Sequence, residues 1–428
     1  MTSAGITTGV LGGRWRATVT PWGAIEPWPH HDRPDEPILD WHIAADDRWH
    51  SPRREAAVRQ ARVEGTAVVE TRVRIPNGDA VQRVYSVPEH GGLTIIEVEN
   101  ASPLSIAVAF TRGDLLSARV PSAPIEGIDV PVGSVAFPVG HHATVTVALS
   151  HSGNAPGVLR AGLTPFAGVV RGWSATVDRA GRMLLPDPLL CEQITSERCE
   201  LALCGPAHPD DDPVAFLLGV GQLVRMGELP EPWTPDVAHA LEVAAKRGPR
   251  DWALAAAFDA ADEVFAAARD PRARTDAALM RRRLALDAHP SVHGRPAEPA
   301  RSLAWAERRL ATPTPTGVAL LPHGIPAEWA GTNFEVYGLA NGSGGTISYA
   351  VRWHGARPAV LWEQAGQPVE VTSPLLAPAW SAHDLKGETL WPEPALETEP
   401  ALETEPAKGV SFKGVSFKGV SFSGESFS

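Results

Sequence analysis

Cysteine, lysine and tyrosine are scarce in this chain of 428 residues. The three cysteines, Cys191, Cys199 and Cys204, are an odd number in a short segment, which argues against a disulfide framework. Their spacing lacks the paired C-x2-C of common zinc sites, so buried free thiols are the simpler interpretation. No apolar run approaches the roughly 20 residues of a membrane-spanning helix, and the N-terminus lacks a secretory-signal pattern. We therefore expect a cytoplasmic protein with no membrane association.

Basic residues are also fewer than acidic ones. The chain has 38 lysine and arginine residues and 50 aspartate and glutamate residues, which gives a net charge of −12. No stripe of arginine or lysine stands out, so nucleic-acid binding is not expected. The sequence contains no G-x-S-x-G, no P-loop and no dinucleotide-binding glycine-rich turn. We therefore expect neither a serine hydrolase nor a nucleotide-dependent enzyme, and no cofactor.

Histidine is more plentiful, at 15 residues, so small clusters arise by chance. Two groups have ligand-like spacing: His30, His31 and Asp32, and His289 with His293. Prolines interrupt both groups, so neither lies on a rigid helix. We expect no metal site.

The pattern of residues 1–185 is typical of β-structure. Residues 66–75 and 80–87 alternate apolar and polar side chains around the turn Pro76-Asn77-Gly78-Asp79, which predicts a hairpin. Short β-rich runs follow at 93–98, 104–111, 134–139 and 143–149. Strands at this spacing predict an antiparallel β-sandwich over residues 1–185.

Residues 186–312 change to a helical period, with about five short helices beginning near residues 214, 237, 251, 275 and 302. Residues 313–391 return to β-structure, where 346–353 and 358–363 predict a second hairpin in a small β-module. The predicted fold class is therefore α+β, with three folded parts.

Residues 392–428 differ from the rest of the chain because they consist mostly of short repeats. The hexapeptide ALETEP occurs twice, and phenylalanine then recurs every five residues at Phe412, Phe417, Phe422 and Phe427. This resembles a pentapeptide repeat, but the units are too few to stack into a solenoid. We expect an acidic linker and a disordered tail; the alternative is a stub that adds to a partner's solenoid.

Three stretches resemble glucoamylase- and trehalase-like glycoside hydrolases. Residues 81–112, with a turn at Asn100, Ser102 and Pro103, resemble the N-terminal β-supersandwich of that family. Residues 212–218 resemble the entry to the helical region in actinobacterial proteins of this kind, and 324–329, 333–339 and 350–355 resemble the β-module behind the barrel. The resemblance covers most of residues 60–391 and includes no catalytic motif.

The resemblance implies a protein that acts on or binds an α-glucan or oligosaccharide. About five helices are too few for the family's helical barrel, so the catalytic barrel is incomplete and neither catalytic carboxylate maps onto this chain. The alternative is a non-catalytic carbohydrate-binding, scaffold or interaction protein.

Glycoside hydrolysis needs two carboxyl groups, one of them with its pKa raised by an apolar setting. Acids near aromatic residues are therefore the candidates: Asp40, Glu328, Glu335 and Glu363, of which we favour the last two. Each has a simpler structural role as an ion-pair partner or a loop cap, and for Glu335 this is a buried partner of an arginine.

The best local group for sugar binding is Arg352, Trp353 and His354 with Trp362, on the two strands of the predicted second hairpin. Indole faces stack on sugar rings, and the charged groups hold hydroxyls. The alternative is that both indoles belong to the core of a small β-sandwich.

Overall fold

A computed structural model describes residues 5–28, 36–122, 125–153, 157–247, 249–286 and 294–394. The first histidine group and the second histidine pair lie outside these residues, as does the predicted repeat tail from residue 395 onward. Within them the fold is mixed α+β. No helix among the described residues combines the length and the apolar character needed to cross a membrane.

The described residues between 6 and 158 form β-structure, as the alternating pattern predicts. Its strands, in chain order, are β1 Ile6–Gly9, β2 Arg16–Val19, β3 Ile25–Pro27, β4 Trp41–Ala44, β5 Trp49–His50, β6 Val58–Arg62, β7 Val69–Ile75, β8 Gly78–Val87, β9 Leu93–Asn100, β10 Ile106–Phe110, β11 Leu116–Ser117, β12 Val135–Val139, β13 Thr144–Ser150 and β14 Gly157–Val158. The predicted first hairpin is β7 and β8, which pair from Val69↔Val84 to Ile75↔Gly78. Asn77 takes φ 60° in the turn, a conformation that asparagine tolerates well.

These strands form three sheets, with orders β1-β2-β3, β12-β10-β4-β5 and β14-β11-β13-β9-β8-β7-β6. The pairs are antiparallel except β11 with β14. Alternate residues of the seven-stranded sheet, such as Val84 and Val98, share one core with Ile43 and Phe137 of the four-stranded sheet and Val19 of the three-stranded one. The core therefore lies between the large sheet and the two small ones.

Seven helices occur among the described residues: α1 Phe166–Val177, α2 Pro188–Cys204, α3 Pro213–Met226, α4 Thr234–Arg247, α5 Trp252–Ala267, α6 Pro271–Leu284 and α7 Pro299–Leu310. The five predicted helices correspond to α3–α7. Helix α2 was not predicted, and α1 lies inside the range predicted as β-structure, so the predicted helix count was too low. Helix α1 covers the second apolar face of the seven-stranded sheet, where its Val170 joins the cluster around Tyr85 and Ile95.

Aspartates begin several of these helices. Asp187, Asp212, Asp251 and Asp270 each accept a hydrogen bond from a backbone amide of the first turn. Such caps satisfy amides that have no partner within the helix.

The last strands are β15 Arg182–Leu184, β16 Ala311–Pro313, β17 Gly317–Leu320, β18 Phe334–Ala340, β19 Thr346–His354, β20 Arg357–Ala365, β21 Glu370–Thr372, β22 Ser381–Ala382 and β23 Lys386–Leu390. They form sheets of order β15-β18-β19-β20-β23 and β16-β17-β21-β22. The predicted second hairpin is β19 and β20, paired from Thr346↔Ala365 to His354↔Arg357. Helices α2, α3 and α7 share one buried core with these sheets, and the hydroxyl of Tyr349 in β19 donates to the carbonyl of Leu310 in α7 at 3.0 Å.

Candidate functional site

A cleft of about 770 Å³ lies where α5, α6 and α7 meet β16 and the residues that follow it. Its charged lining residues are Asp259, Asp262, Glu263, Arg274, Arg281, Arg282 and Arg308. Apolar atoms of Phe258 and Leu286 and the segment Thr312, Pro313, Thr314 and Pro315 complete the wall. The cleft thus combines apolar surface with closely spaced hydrogen-bonding groups.

Helix α5 supplies the acids because its alanine-rich face packs against α3 and leaves Asp259, Asp262 and Glu263 on the cleft side. Asp259 and Glu263 are four residues apart, so they occupy the same helical face one turn from each other. Asp259 accepts hydrogen bonds from both Arg281 and Arg308. Asp262 is held by the fork of Arg274, with both N···O distances at 2.8 Å.

A second cavity of about 50 Å³ shares Asp259, Glu263 and Arg308 with the cleft. Glu307 of α7 also lines it and accepts from Arg198 Nη2 at 2.8 Å and Arg225 Nη2 at 2.6 Å. Burial by itself raises the pKa of Glu307, but the charges of Arg225 and Arg198 outweigh it and hold that pKa below its ordinary value. Glu307 is therefore ionised at neutral pH.

The pKa of Glu263 is shifted in the opposite direction, upward. Burial raises its pKa to about 7, Arg225 opposes the shift, and the negative charges of Glu307 and Asp259 add to it. The nearest cation is Arg225, whose Nε lies 3.6 Å from Glu263 Oε2. The side chain keeps 20% of its surface accessible, so it meets solvent at the cavity. One carboxyl group that holds a proton near neutral pH thus stands beside one that does not, as acid catalysis requires.

Gln222 of α3 adds a buried polar atom to the small cavity. Its Nε2 donates to Glu307 at 2.8 Å, while its Oε1 has no hydrogen-bond partner in the part of the chain that the structure describes. A buried acceptor without a donor is costly, so a hydroxyl or water hydrogen at this position would be stabilised.

The residues predicted for sugar binding lie elsewhere, on β19 and β20. Trp362 is 7% exposed on the core side of the sheet, and its indole nitrogen donates to the Asp384 carbonyl at 3.3 Å. Trp353 is partly buried against the same core. His354 is exposed at the end of the hairpin.

Arg352 points to the opposite, outer face of that sheet, where it binds Glu335. A hydrogen bond from the Tyr337 hydroxyl and the bond from Arg352 together hold the pKa of Glu335 below its ordinary value, the reverse of the shift that a general acid needs. Glu363 is exposed and stands opposite Ser348 and Lys386 in the strand register. The structure brings Arg352 and Glu335 together but separates them from the indoles.

None of these predicted residues is among those that line the cleft, and their roles in binding or catalysis stay predictions. Among the described residues, no group of three or more histidine, cysteine, aspartate or glutamate side chains is placed to hold a metal ion. Asp259, Asp262 and Glu263 line the cleft and were not among the predicted site residues. The available signal was three acids on one side of a helix that is otherwise mostly alanine and apolar.

A comparison of the chain with protein-family models and with curated proteins found no match. The resemblance to glucoamylase- and trehalase-like glycoside hydrolases therefore stays a prediction.

Proposed function

We propose that this protein binds an α-glucan or another oligosaccharide in the cleft between α5, α6 and α7, within a glycoside-hydrolase-like architecture whose helical barrel is incomplete. The observation on which this proposal rests is the cleft itself. Its volume of about 770 Å³ falls in the range of roughly 300–1,000 Å³ that is typical of ligand sites. The mixture of apolar wall and dense hydrogen-bonding groups suits a ligand with apolar ring faces and many hydroxyls.

Hydrolysis of the bound sugar is the second candidate, and the protonation of Glu263 favours it. A glycosidase needs one carboxyl group that donates a proton to the leaving oxygen and one that stays ionised. Glu263, with a pKa of about 7, fits the first role. Glu307 lines the small cavity with Glu263 and has its pKa held below the ordinary value, so it fits the second role, although Arg198 and Arg225 already bind it. Because these ion pairs occupy the second carboxylate, binding is the primary proposal and catalysis is the second.

Titration calorimetry of the full chain with maltooligosaccharides and trehalose tests the binding proposal. None of the fourteen tryptophans is among the lining residues, so intrinsic fluorescence is a poor probe of this cleft. Ala278 lines the cleft and is exposed, so Ala278→Trp should obstruct part of the cleft without disturbing the core. We expect this variant to bind at least about tenfold more weakly than wild type.

Leu279→Trp is the matched control, since Leu279 is the next residue, is 45% exposed and does not line the cleft. Equal affinity of wild type and Ala278→Trp would place any sugar site elsewhere. Release of reducing sugar by wild type, and its loss in Glu263→Gln, would establish hydrolysis. Binding without release would leave a carbohydrate-binding protein.

A further inference from the structure

The arginines of the cleft outnumber its acids. Four arginines and three acidic residues line it. Because burial keeps Glu263 partly protonated near neutral pH, the lining carries between one and two positive charges in excess. The whole chain has a net charge of −12, so the cleft has the opposite sign to the protein that surrounds it. Local charge of this kind concentrates ligands of the opposite sign.

The excess charge is located at two positions. Arg274 is neutralised by its fork to Asp262, but Arg281 and Arg308 share the single carboxylate of Asp259. Within the described residues, each of these two uses one terminal nitrogen for that bond. A guanidinium has five N–H donors, so both keep donors for a second acceptor.

Arg282 is the other position. It is exposed and lines the cleft, and its side chain has no hydrogen bond or ion pair with any residue that the structure describes. A neutral glucan would need no such surplus of cationic donors. An acidic group fits it, because guanidinium bonds carboxylate and phosphate oxygens in paired, charge-assisted contacts.

We propose that the saccharide bound in this cleft is anionic, carrying a carboxylate or a phosphate that Arg281, Arg282 and Arg308 bind. This inference rests on the proposed function and names its ligand class. The sugar rings lie on the apolar wall, and the acidic group sets the orientation at the arginine end.

Calorimetry with glucose, glucose 6-phosphate and glucuronate tests the inference, because these ligands differ only at C6. We expect at least one anionic sugar to bind about tenfold or more tightly than glucose. That preference should shrink when salt is raised from about 0.05 M to about 0.5 M. The stronger of the two anionic ligands identifies the acidic group as phosphate or carboxylate.

Arg282→Gln should remove most of the preference. Arg283→Gln is the matched control, since Arg283 is also exposed but does not line the cleft, and it should leave the preference unchanged. Inorganic phosphate alone provides the remaining comparison, and it should bind more weakly than the anionic sugar.

Three results would overturn the inference in distinguishable ways. Equal affinity for glucose and both anionic sugars would refute the anionic class and leave sugar binding intact. Inorganic phosphate binding as tightly as glucose 6-phosphate, with no affinity for glucose or trehalose, would refute the proposed sugar site together with this inference. Loss of the preference in Arg283→Gln as well as Arg282→Gln would also contradict it, because the effect would then be one of general charge.

Discussion

The carboxyl group of Glu263 couples the stability of the fold to pH. An unfolded chain releases this proton near its ordinary pKa of 4.5, whereas the folded protein holds it up to a pKa of about 7. Between these values the folded state binds more protons than the unfolded state. The contribution of Glu263 to the free energy of unfolding is therefore fully present below about pH 4.5 and is lost as pH rises to about 7.

Glu263→Gln should remove this pH dependence, because the amide resembles the protonated acid and cannot ionise. We expect the free energy of unfolding of the variant to rise relative to wild type between about pH 5 and about pH 8. Denaturant unfolding at several pH values measures this difference. Glu242→Gln, at an exposed site on α4, should give a curve parallel to wild type. A parallel curve for Glu263→Gln would show that its pKa is not shifted.

The residues that line the cleft could not be predicted from the sequence, and the reason is physical. Nearness to aromatic residues in the sequence favours Glu335 and Glu363, but adjacency along a strand places two side chains on opposite faces of the sheet. Trp362 accordingly lies in the core while Glu363 is exposed. The cleft is assembled from α5, α6 and α7, which converge only in the folded chain. Arg308 is therefore joined to Asp259 across 49 positions of sequence.

At the scale of elements, α3 and α5 pack closely because Gly221 has no side chain. A β-carbon at that position would lie 2.9 Å from the Cβ of Ala260 on α5. Gly221→Ala should therefore push apart the two helices that carry Gln222 and Glu263. We expect a loss of about 1–3 kcal/mol in the free energy of unfolding, the usual cost of overpacking.

Gly172→Ala provides the matched comparison, because Gly172 lies in α1 and an added β-carbon would meet no atom within 4 Å. Alanine favours the helix more than glycine does, so this variant should gain about 0.5–1 kcal/mol. Denaturant unfolding of both variants separates the two effects. A gain of stability in Gly221→Ala would contradict the close contact between α3 and α5.

A helix is most clearly predictable where a cap precedes an apolar period. Asp212 and Pro213 predict the start of α3, and the residues after Pro213 in this helix are almost all apolar and buried. Helix α2 has the same Asp-Pro start, but its buried side includes Arg198, which is 2% exposed and binds Glu307. A buried arginine breaks the apolar period, so α2 was missed. Helix α1 has no side-chain cap and contains two glycines, which weakened its signal further.

At the scale of the whole molecule, one core joins ranges that the sequence pattern predicts as separate folded parts. Leu203 of α2 and Leu310 of α7 share a buried cluster with Val336 and Val360 of the last sheets and with Trp391, which follows β23. Strand β15, inside the range 1–185, pairs with β18. The predicted boundary between residues 312 and 313 therefore separates residues that pack together. Independent domain behaviour stays a prediction, and the shared core gives the reason to test it.

A chain ending at residue 312 should lose the cooperative unfolding of its helices. Truncation there exposes the apolar faces of α2 and α7, and burial of such surface supplies most of the stability of a fold. The core between the three N-terminal sheets contains only residues up to Leu149, so it should survive. We expect circular dichroism to show a reduced helical signal, with the remaining thermal transition coming from β-structure.

A chain ending at residue 394 is the control, because it keeps every described residue after residue 312. If the shorter chain kept the full helical signal and its cooperative transition, the helices would be stable without the last two sheets, and the shared core would contribute packing but not cooperativity.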